Sequence, residues 1–488
     1  ALGLTPLSQI WVATLSLSLL FAFEMGCSAK QRRKHFLSGL SFGFGYFVFA
    51  FHWIGFAFLV DASSDLWMMP FAVGGLALFM ACYWGVAFVL AHALAKRGFA
   101  LWLTLPCMLA LVEFLRGYLF TGFPWAVPGL IADGMGGVLQ FASIVGMSGL
   151  TLLILLWGML PFVIFMAWRK ERRRFILASA LLASLPAIWF WGEWRLRNPQ
   201  PTDENAQIVR LVQPNISQSD KWRSENADSI FNELLDLSVS PTVQLPKAII
   251  WPESAVSFLL DESEPAKKQI AMRLQEGQTL LTGAIRRQMN ANQEDYHTSI
   301  ISFDQDGTVV GRYDKWRLVP GGEYLPLAWM LEPLGFRKVV SLPESFSAGT
   351  GPQNFEVSGI GQAALLICYE AIFPHLLVPD DARPRWIVNV TNDGWFGNSV
   401  GPYQHLAQVR MRAVEQGLPI ARSANTGISA MIDPFGRIVA SLALGRKGFV
   451  DAALPQSLPA TVFALWGSVP ALILLIFILT IAGLGRRY

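Results

Sequence analysis

The chain has 488 residues, 53% of them hydrophobic and only 15% charged, with 18 Trp and 34 Phe, and a mean hydropathy of +0.41. That length allows two or more domains, and that composition excludes an ordinary soluble protein. A net charge of +3, from 38 Lys and Arg against 35 Asp and Glu, is too small to indicate nucleic acid as a partner.

The apolar residues gather in 7–191 and 461–484, while 198–457 read as a soluble domain. A membrane-crossing helix needs about 20 largely apolar residues, because every backbone group must be satisfied without water. Spans are predicted at Leu7–Phe23, Phe36–Val60, Met68–Leu94, Phe99–Phe120, Val138–Trp168, Phe175–Trp191 and Val462–Leu484, the fifth long enough to tilt or to include an interfacial turn near Gly146–Gly149. Three domains follow: membrane helices over 1–194, a soluble domain over 195–457, and a C-terminal membrane helix over 458–488.

Lys and Arg collect in Lys30–Lys34, at Lys96-Arg97, in Arg169–Arg174 and at Arg486-Arg487, on alternate loops. One assignment puts all four clusters in the cytoplasm, which places the soluble block outside it. The same rule puts Ala1 outside. The chain does not begin with Met, so either the first segment enters unusually or an earlier span is absent from this sequence. Because the basic residues follow the first apolar run, no cleavable signal peptide is expected.

Arg195–Glu204 reads as a linker. Beyond it, Ile208–Val212, Ala248–Trp251, Leu280–Ala284, Ala364–Cys368 and Trp386–Thr391 read as buried strands, and Ser224–Leu237, Pro265–Glu276 and Tyr403–Gln416 as helices. Hairpins are predicted to turn at Asp304–Gly307 and at Asp433–Gly436. The mixture predicts an α/β sandwich, with helices covering β-sheets.

Three segments end on a reactive side chain: Ile249-Ile250-Trp251-Pro252-Glu253, Arg312-Tyr313-Asp314-Lys315 and Leu366-Ile367-Cys368. Of the four cysteines, Cys368 alone lies in the soluble region, and neither CxxC spacing nor a metal-ligand pattern accompanies it. No metal or cofactor is expected, and no G-x-S-x-G elbow, His-Glu-x-x-His motif or phosphate loop occurs. A thiol at neutral pH is mostly protonated, so attack on a carbonyl needs a base. Glu253 is a candidate for that base. Lys315 and the Tyr369 backbone N–H are candidates to hold the oxyanion. Each also has a purely structural reading: a buried cysteine, a carboxylate capping a helix, a surface lysine.

The contexts Trp-Pro-Glu-Ser, Tyr-x-Lys and Ile-Cys-Tyr-Glu, in this order, resemble the nitrilase superfamily. Leu318–Pro326, Asn392–Gly397, Arg410–Ala413, Glu113–Gly117 and Thr121–Trp125 resemble its membrane-bound branch, the apolipoprotein N-acyltransferases. That resemblance, over nearly the whole chain, implies an αββα nitrilase-like domain on the periplasmic side of a bacterial inner membrane. It implies Cys368 as nucleophile, Glu253 as general base and Lys315 as oxyanion stabiliser, with Glu323, Tyr369 and Glu370 in support. Trp222, Trp395 and Phe396 would face substrate, and Phe396 equally fits core packing. The implied reaction passes an acyl chain from a phospholipid, preferably phosphatidylethanolamine, to the thiol. It then passes to the α-amine of a diacylglyceryl-cysteine apolipoprotein, in a monomeric enzyme. The apolar stretch Leu325–Leu331 is a candidate lipid-dipping arm.

The chain departs from the family pattern at Arg317, where His is usual, and at Gly321, where Phe is usual. The family has eight spans against the seven predicted, and Gly3–Pro6 resembles the stretch after the family's first span, so that span is expected to be missing from this sequence. Two rival readings remain. One is a tethered amidase that hydrolyses its thioester with water. The other is a lipoprotein-binding or transport protein, for which Glu24, Glu113 and Arg116 are the polar residues within spans.

Overall fold

A computed structural model describes residues 1–26, 31–97, 100–197, 206–290, 293–335, 346–374 and 383–484. Lys30, Cys27, Phe99, most of the expected linker and the terminal Arg486-Arg487 lie outside them.

Every predicted span is helical: α1 (Ile10–Met25), α2 (Arg32–Phe51), α3 (Met69–Lys96), α4 (Leu101–Arg116), α5 (Ala142–Ala167) and α6 (Arg172–Leu196). Four helical stretches, at 32–59, 66–96, 136–167 and 172–196, are long and apolar enough to cross a membrane. The outward faces of the bundle are greasy, with Trp11, Phe49, Phe71, Phe165 and Phe190 exposed. α2 and α3 pack at backbone distance: a Cβ on Gly39 would lie 2.6 Å from the Trp84 carbonyl. Glycines four apart, Gly39 and Gly43, open that approach. The expected turn inside the fifth span is present, because Gly146 takes φ 64° where the chain bends into α5.

The buried ionisable groups Glu24, His35, His92, Glu113 and Arg116 are paired within the bundle. Arg116 bonds Glu113 and the carbonyls of Phe123 and Trp125, fixing the loop after α4. Glu24 accepts from His35 Nδ1 at 3.0 Å and His92 Nε2 at 2.8 Å, joining α1, α2 and α3. Among the described residues this is the cluster whose ligand-type atoms lie close enough to hold a metal. Its two imidazoles stack with ring centroids 3.4 Å apart at 16°, and both meet the same carboxylate oxygen, Glu24 Oε2. Hydrogen bonds to the shared carboxylate account for the geometry.

The soluble region is a sandwich of two six-stranded sheets. The strands are β1 (Ile208–Gln213), β2 (Ala248–Trp251), β3 (Thr279–Asn290), β4 (Gln293–Phe303), β5 (Val309–Asp314), β6 (Asn354–Val357), β7 (Gly361–Ile367), β8 (Trp386–Thr391), β9 (Ile420–Ala424), β10 (Ser429–Ile432), β11 (Ile438–Leu442) and β12 (Gly448–Ala453). The first sheet runs β12-β1-β2-β3-β4-β5 and the second β11-β10-β9-β8-β7-β6. Alternation along each strand divides the core. Ala248, Ile250, Leu365 and Ile367 meet between the sheets. Ile249 and Trp251 face α7 (Ala227–Ser238) and α8 (Glu264–Arg273). Leu366 and Ile387 face α9 (Gly401–Gln416). The layers are therefore helix, sheet, sheet, helix, as expected. The chain leaves through α10 (Val462–Trp466) and α11 (Val469–Leu484).

The sandwich sits on one end of the bundle. Phe396 packs on Trp53 at 4.3 Å, Trp125 Nε1 donates to Gln404, and the Met147 N–H donates to Glu415 at 2.7 Å. The described residues of the basic clusters, Arg32–Lys34, Lys96-Arg97 and Arg169–Arg174, lie at the opposite helix ends.

Candidate active site

Parallel pairing of β1 with β2 and of β7 with β8 brings their C-terminal ends to one rim, where such folds aim side chains into a common cleft. Glu253 follows β2 and Lys315 follows β5, while Cys368 follows β7. The sequence predicts Cys368 as the last strand residue. Instead β7 stops at Ile367, and Cys368 takes φ 47° as the first residue of a helical turn. A non-glycine residue in that region is strained and is held by its surroundings. The turn lifts the thiol off the strand into the cleft.

Lys315 is buried, and its Nζ donates to Glu253 Oε1 at 3.1 Å and to Glu323 Oε1 at 3.0 Å. Burial alone would lower its pKa, but Glu253 and Glu323 outweigh that and hold it above the usual lysine range. Glu323 is fixed in turn by the Thr298 hydroxyl at 3.2 Å and the Val319 N–H at 2.7 Å. Burial pushes the Cys368 thiol up and Glu253 adds to that, while Lys315 and a hydrogen bond with Thr391 act the other way. The resting group is thus a thiol beside a carboxylate, arranged for proton transfer during attack rather than for a standing thiolate.

Glu370, also buried, accepts from Tyr313 Oη (2.9 Å), the Trp316 N–H (2.7 Å) and the Ile367 N–H (2.8 Å). It ties the segment bearing Lys315 to the strand bearing Cys368. Burial raises its pKa to about 6, against those backbone bonds. The Tyr369 hydroxyl reaches down to the Gly122 carbonyl at 2.9 Å, so the membrane loop floors the site. Trp222, its ring 5.7 Å from Lys221 Nζ, and Trp395 are half-buried, whereas Phe396 is spent on Trp53 and Trp125. Arg317 stacks over Trp316 and Phe373, at 4.7 and 5.6 Å from their ring centroids.

Sequence reasoning missed two groups. Lys221 is buried, donates to the Glu253 carbonyl at 3.1 Å, and is lowered by burial to about 8. His405, Asp393 and Arg422 form a buried chain behind Cys368. The position of Lys221 beside Trp222 was the available signal for the first; nothing in spacing marks the second.

Residues 208–461 match the carbon-nitrogen hydrolase family and residues 1–160 the apolipoprotein N-acyltransferase N-terminal domain. The chain is 39% identical to the apolipoprotein N-acyltransferase of Rhodopseudomonas palustris, over 95% of this chain and 88% of that one. It is 40% identical to that of Brucella melitensis, over 90% and 83%. Among solved structures, a mutant of a Nesterenkonia amidase from the nitrilase superfamily aligns with 53% of this chain and 94% of its own, at 16% identity and a TM-score of 0.37. With both domain models matched in order and relatives of this identity along almost its whole length, the chain belongs to the apolipoprotein N-acyltransferase family.

Proposed function

We propose that the chain N-acylates the diacylglyceryl-cysteine at the amino terminus of apolipoproteins, taking the acyl group from a membrane phospholipid through a thioester on Cys368. One observation carries this: a single buried ammonium, Lys315 Nζ, bridges Glu253 and Glu323 beside the Cys368 thiol. Glu253 takes the thiol proton as Sγ bonds to the ester carbonyl. The oxyanion forms between Lys315 Nζ and the Tyr369 N–H. Collapse breaks the C–O bond, and Glu253 returns the proton to the departing lysophospholipid oxygen. In the second half the acceptor amine attacks the thioester. Glu253 takes an amine proton and delivers it to the leaving sulfur, so the amide forms and the thiol is restored. Water in place of the amine would give the amidase reaction.

The donor in this reading is phosphatidylethanolamine, and the enzyme works as a monomer in the bacterial inner membrane with its sandwich on the periplasmic side. Support for that side comes from the basic helix ends opposite the sandwich. The working division is 1–194 for the membrane domain, 195–457 for the catalytic domain and 458–488 for the last helix. The test is intact-mass analysis after incubation with phosphatidylethanolamine vesicles, without and then with a diacylglyceryl peptide. The expected result is a hydroxylamine-labile acyl adduct, absent in Cys368→Ala, that is discharged by the peptide's amine. Turnover without any adduct would sink the thioester, and discharge at equal rate by buffer alone would favour the amidase.

Trp329 is 77% exposed, with Leu327 and Met330 beside it, on a short helical turn at Ala328–Leu331. In this reading the turn dips into the lipid. Replacing Trp329 and Met330 by Ser is expected to raise the vesicle concentration giving half-maximal acylation at least tenfold, since tenfold needs the loss of only about 55 Å² of apolar burial at about 25 cal/mol per Å². Unchanged lipid dependence would remove the arm from the model.

A further inference from the structure

Cys368 holds a left-handed backbone conformation that no glycine relieves, so something must hold its peptide. His405, on α9 and fully buried, touches that peptide. Its Nε2 lies 3.1 Å from the Cys368 carbonyl oxygen, and its Nδ1 lies 2.8 Å from Asp393 Oδ1 and 3.3 Å from Arg422 Nη2, which can donate to it when the ring hydrogen is on Nε2. Asp393 is anchored by Arg422 at 2.7 Å and receives the Thr391 hydroxyl at 3.2 Å, and Thr391 also bonds Cys368. The chain of contacts therefore reaches the nucleophile at its carbonyl and at its sulfur.

The carbonyl contact has a chemical consequence. In a trans peptide the C=O of one residue and the N–H of the next point in opposite directions in one rigid plane. Fixing the Cys368 carbonyl on His405 therefore fixes the direction of the Tyr369 N–H. That N–H is the second oxyanion donor in the reaction proposed above, on which this inference rests. We infer that His405 is a positioning residue whose Nε2–H clamps the Cys368–Tyr369 peptide and so aims the oxyanion donor. Its other face packs on Trp125, with ring centroids 5.4 Å apart, so the clamp is backed by the membrane loop.

Two amide substitutions separate a clamp from simple packing. In His405→Gln the side-chain nitrogen can stand where Nε2 stands. In His405→Asn it stands near Nδ1, facing Asp393, and the Cys368 carbonyl loses its donor. Formation of the acyl adduct from phosphatidylethanolamine vesicles would be timed by intact mass for the wild type, both amide variants and His405→Ala. Thermal unfolding would be followed in parallel. His405→Asn and His405→Ala are expected to acylate roughly 10²-fold more slowly at saturating donor, the scale of one lost oxyanion donor. Half-saturating donor should stay within about threefold, and His405→Gln should recover to within about fivefold of wild type. Equal slowing in the Gln and Asn variants, or slowing that only tracks the folded fraction, would overturn the clamp while leaving the thioester reading intact. If the wild type forms no adduct, the thioester reading falls and takes this inference with it.

Discussion

Lys315→Met is expected to cost about 3–5 kcal/mol of stability and to slow thioester formation by roughly 10²–10³. The stability loss arises because Glu253 and Glu323, both buried, share this one cation. Its removal leaves two carboxylates facing an uncharged gap, and breaking a buried pair from one side strands the other charge. The rate loss has a different origin, since in the proposed reaction the oxyanion forms against the Lys315 ammonium. A second substitution separates the two effects. In Lys315→Met combined with Glu323→Gln one of the stranded charges is gone, so the unfolding midpoint should recover in part while acylation stays slow. A double variant that regains its rate along with its stability would remove Lys315 from the chemistry.

Glu370→Gln is expected to slow acylation by roughly 10²-fold, the effect of displacing reacting groups by about 1 Å. Glu370 acts only as an acceptor, receiving one hydroxyl and backbone N–H groups from both sides of the cleft. An amide puts its own N–H₂ against one of those donors and leaves it unsatisfied, at about 1–3 kcal/mol. The pH dependence follows with opposite signs for stability and rate. With its pKa raised from 4.5 to about 6, the folded state binds the proton more tightly than the unfolded chain. The contribution to stability is therefore fully present below 4.5 and is lost as pH rises through about 6, a span of about 2 kcal/mol. Acylation runs the other way, because a protonated Glu370 can no longer accept from both sides, so the rate should fall as pH drops through about 6. Glu370→Gln should flatten both curves near pH 6. A wild-type acid limb that survives in the Gln variant would assign it to another group.

The strands that carry the site were legible because they are buried on both faces: Ala248–Trp251 and Trp386–Thr391 are unbroken apolar runs but for Asn389 and Thr391. α9 was legible from its periodicity and the αL glycine, Gly417, that ends it. β6 and β12 were missed because they alternate poorly, and β9 because the buried Arg422 and Ser423 break its apolar run. β12 is defined by its antiparallel pairing with β1, from the far end of the domain. The contacts of Cys368, Glu253 and Lys315 are tertiary, and a one-dimensional pattern offers only their residue types and contexts. The same limit hid Lys221 and the His405–Asp393–Arg422 chain. Buried polar groups satisfy one another across the fold at separations that obey no period.

The Tyr369 hydroxyl on the Gly122 carbonyl, the Met147 N–H on Glu415 and Phe396 against Trp53 all cross from sandwich to bundle. The sandwich is therefore expected to lose its activity when cut free of the bundle. A fragment retaining Glu253, Lys315 and Cys368 would lack the floor against which Tyr369 is set and the ring that backs His405. A detergent that splays the helices is expected to lower the acylation rate while the sandwich's strands stay paired.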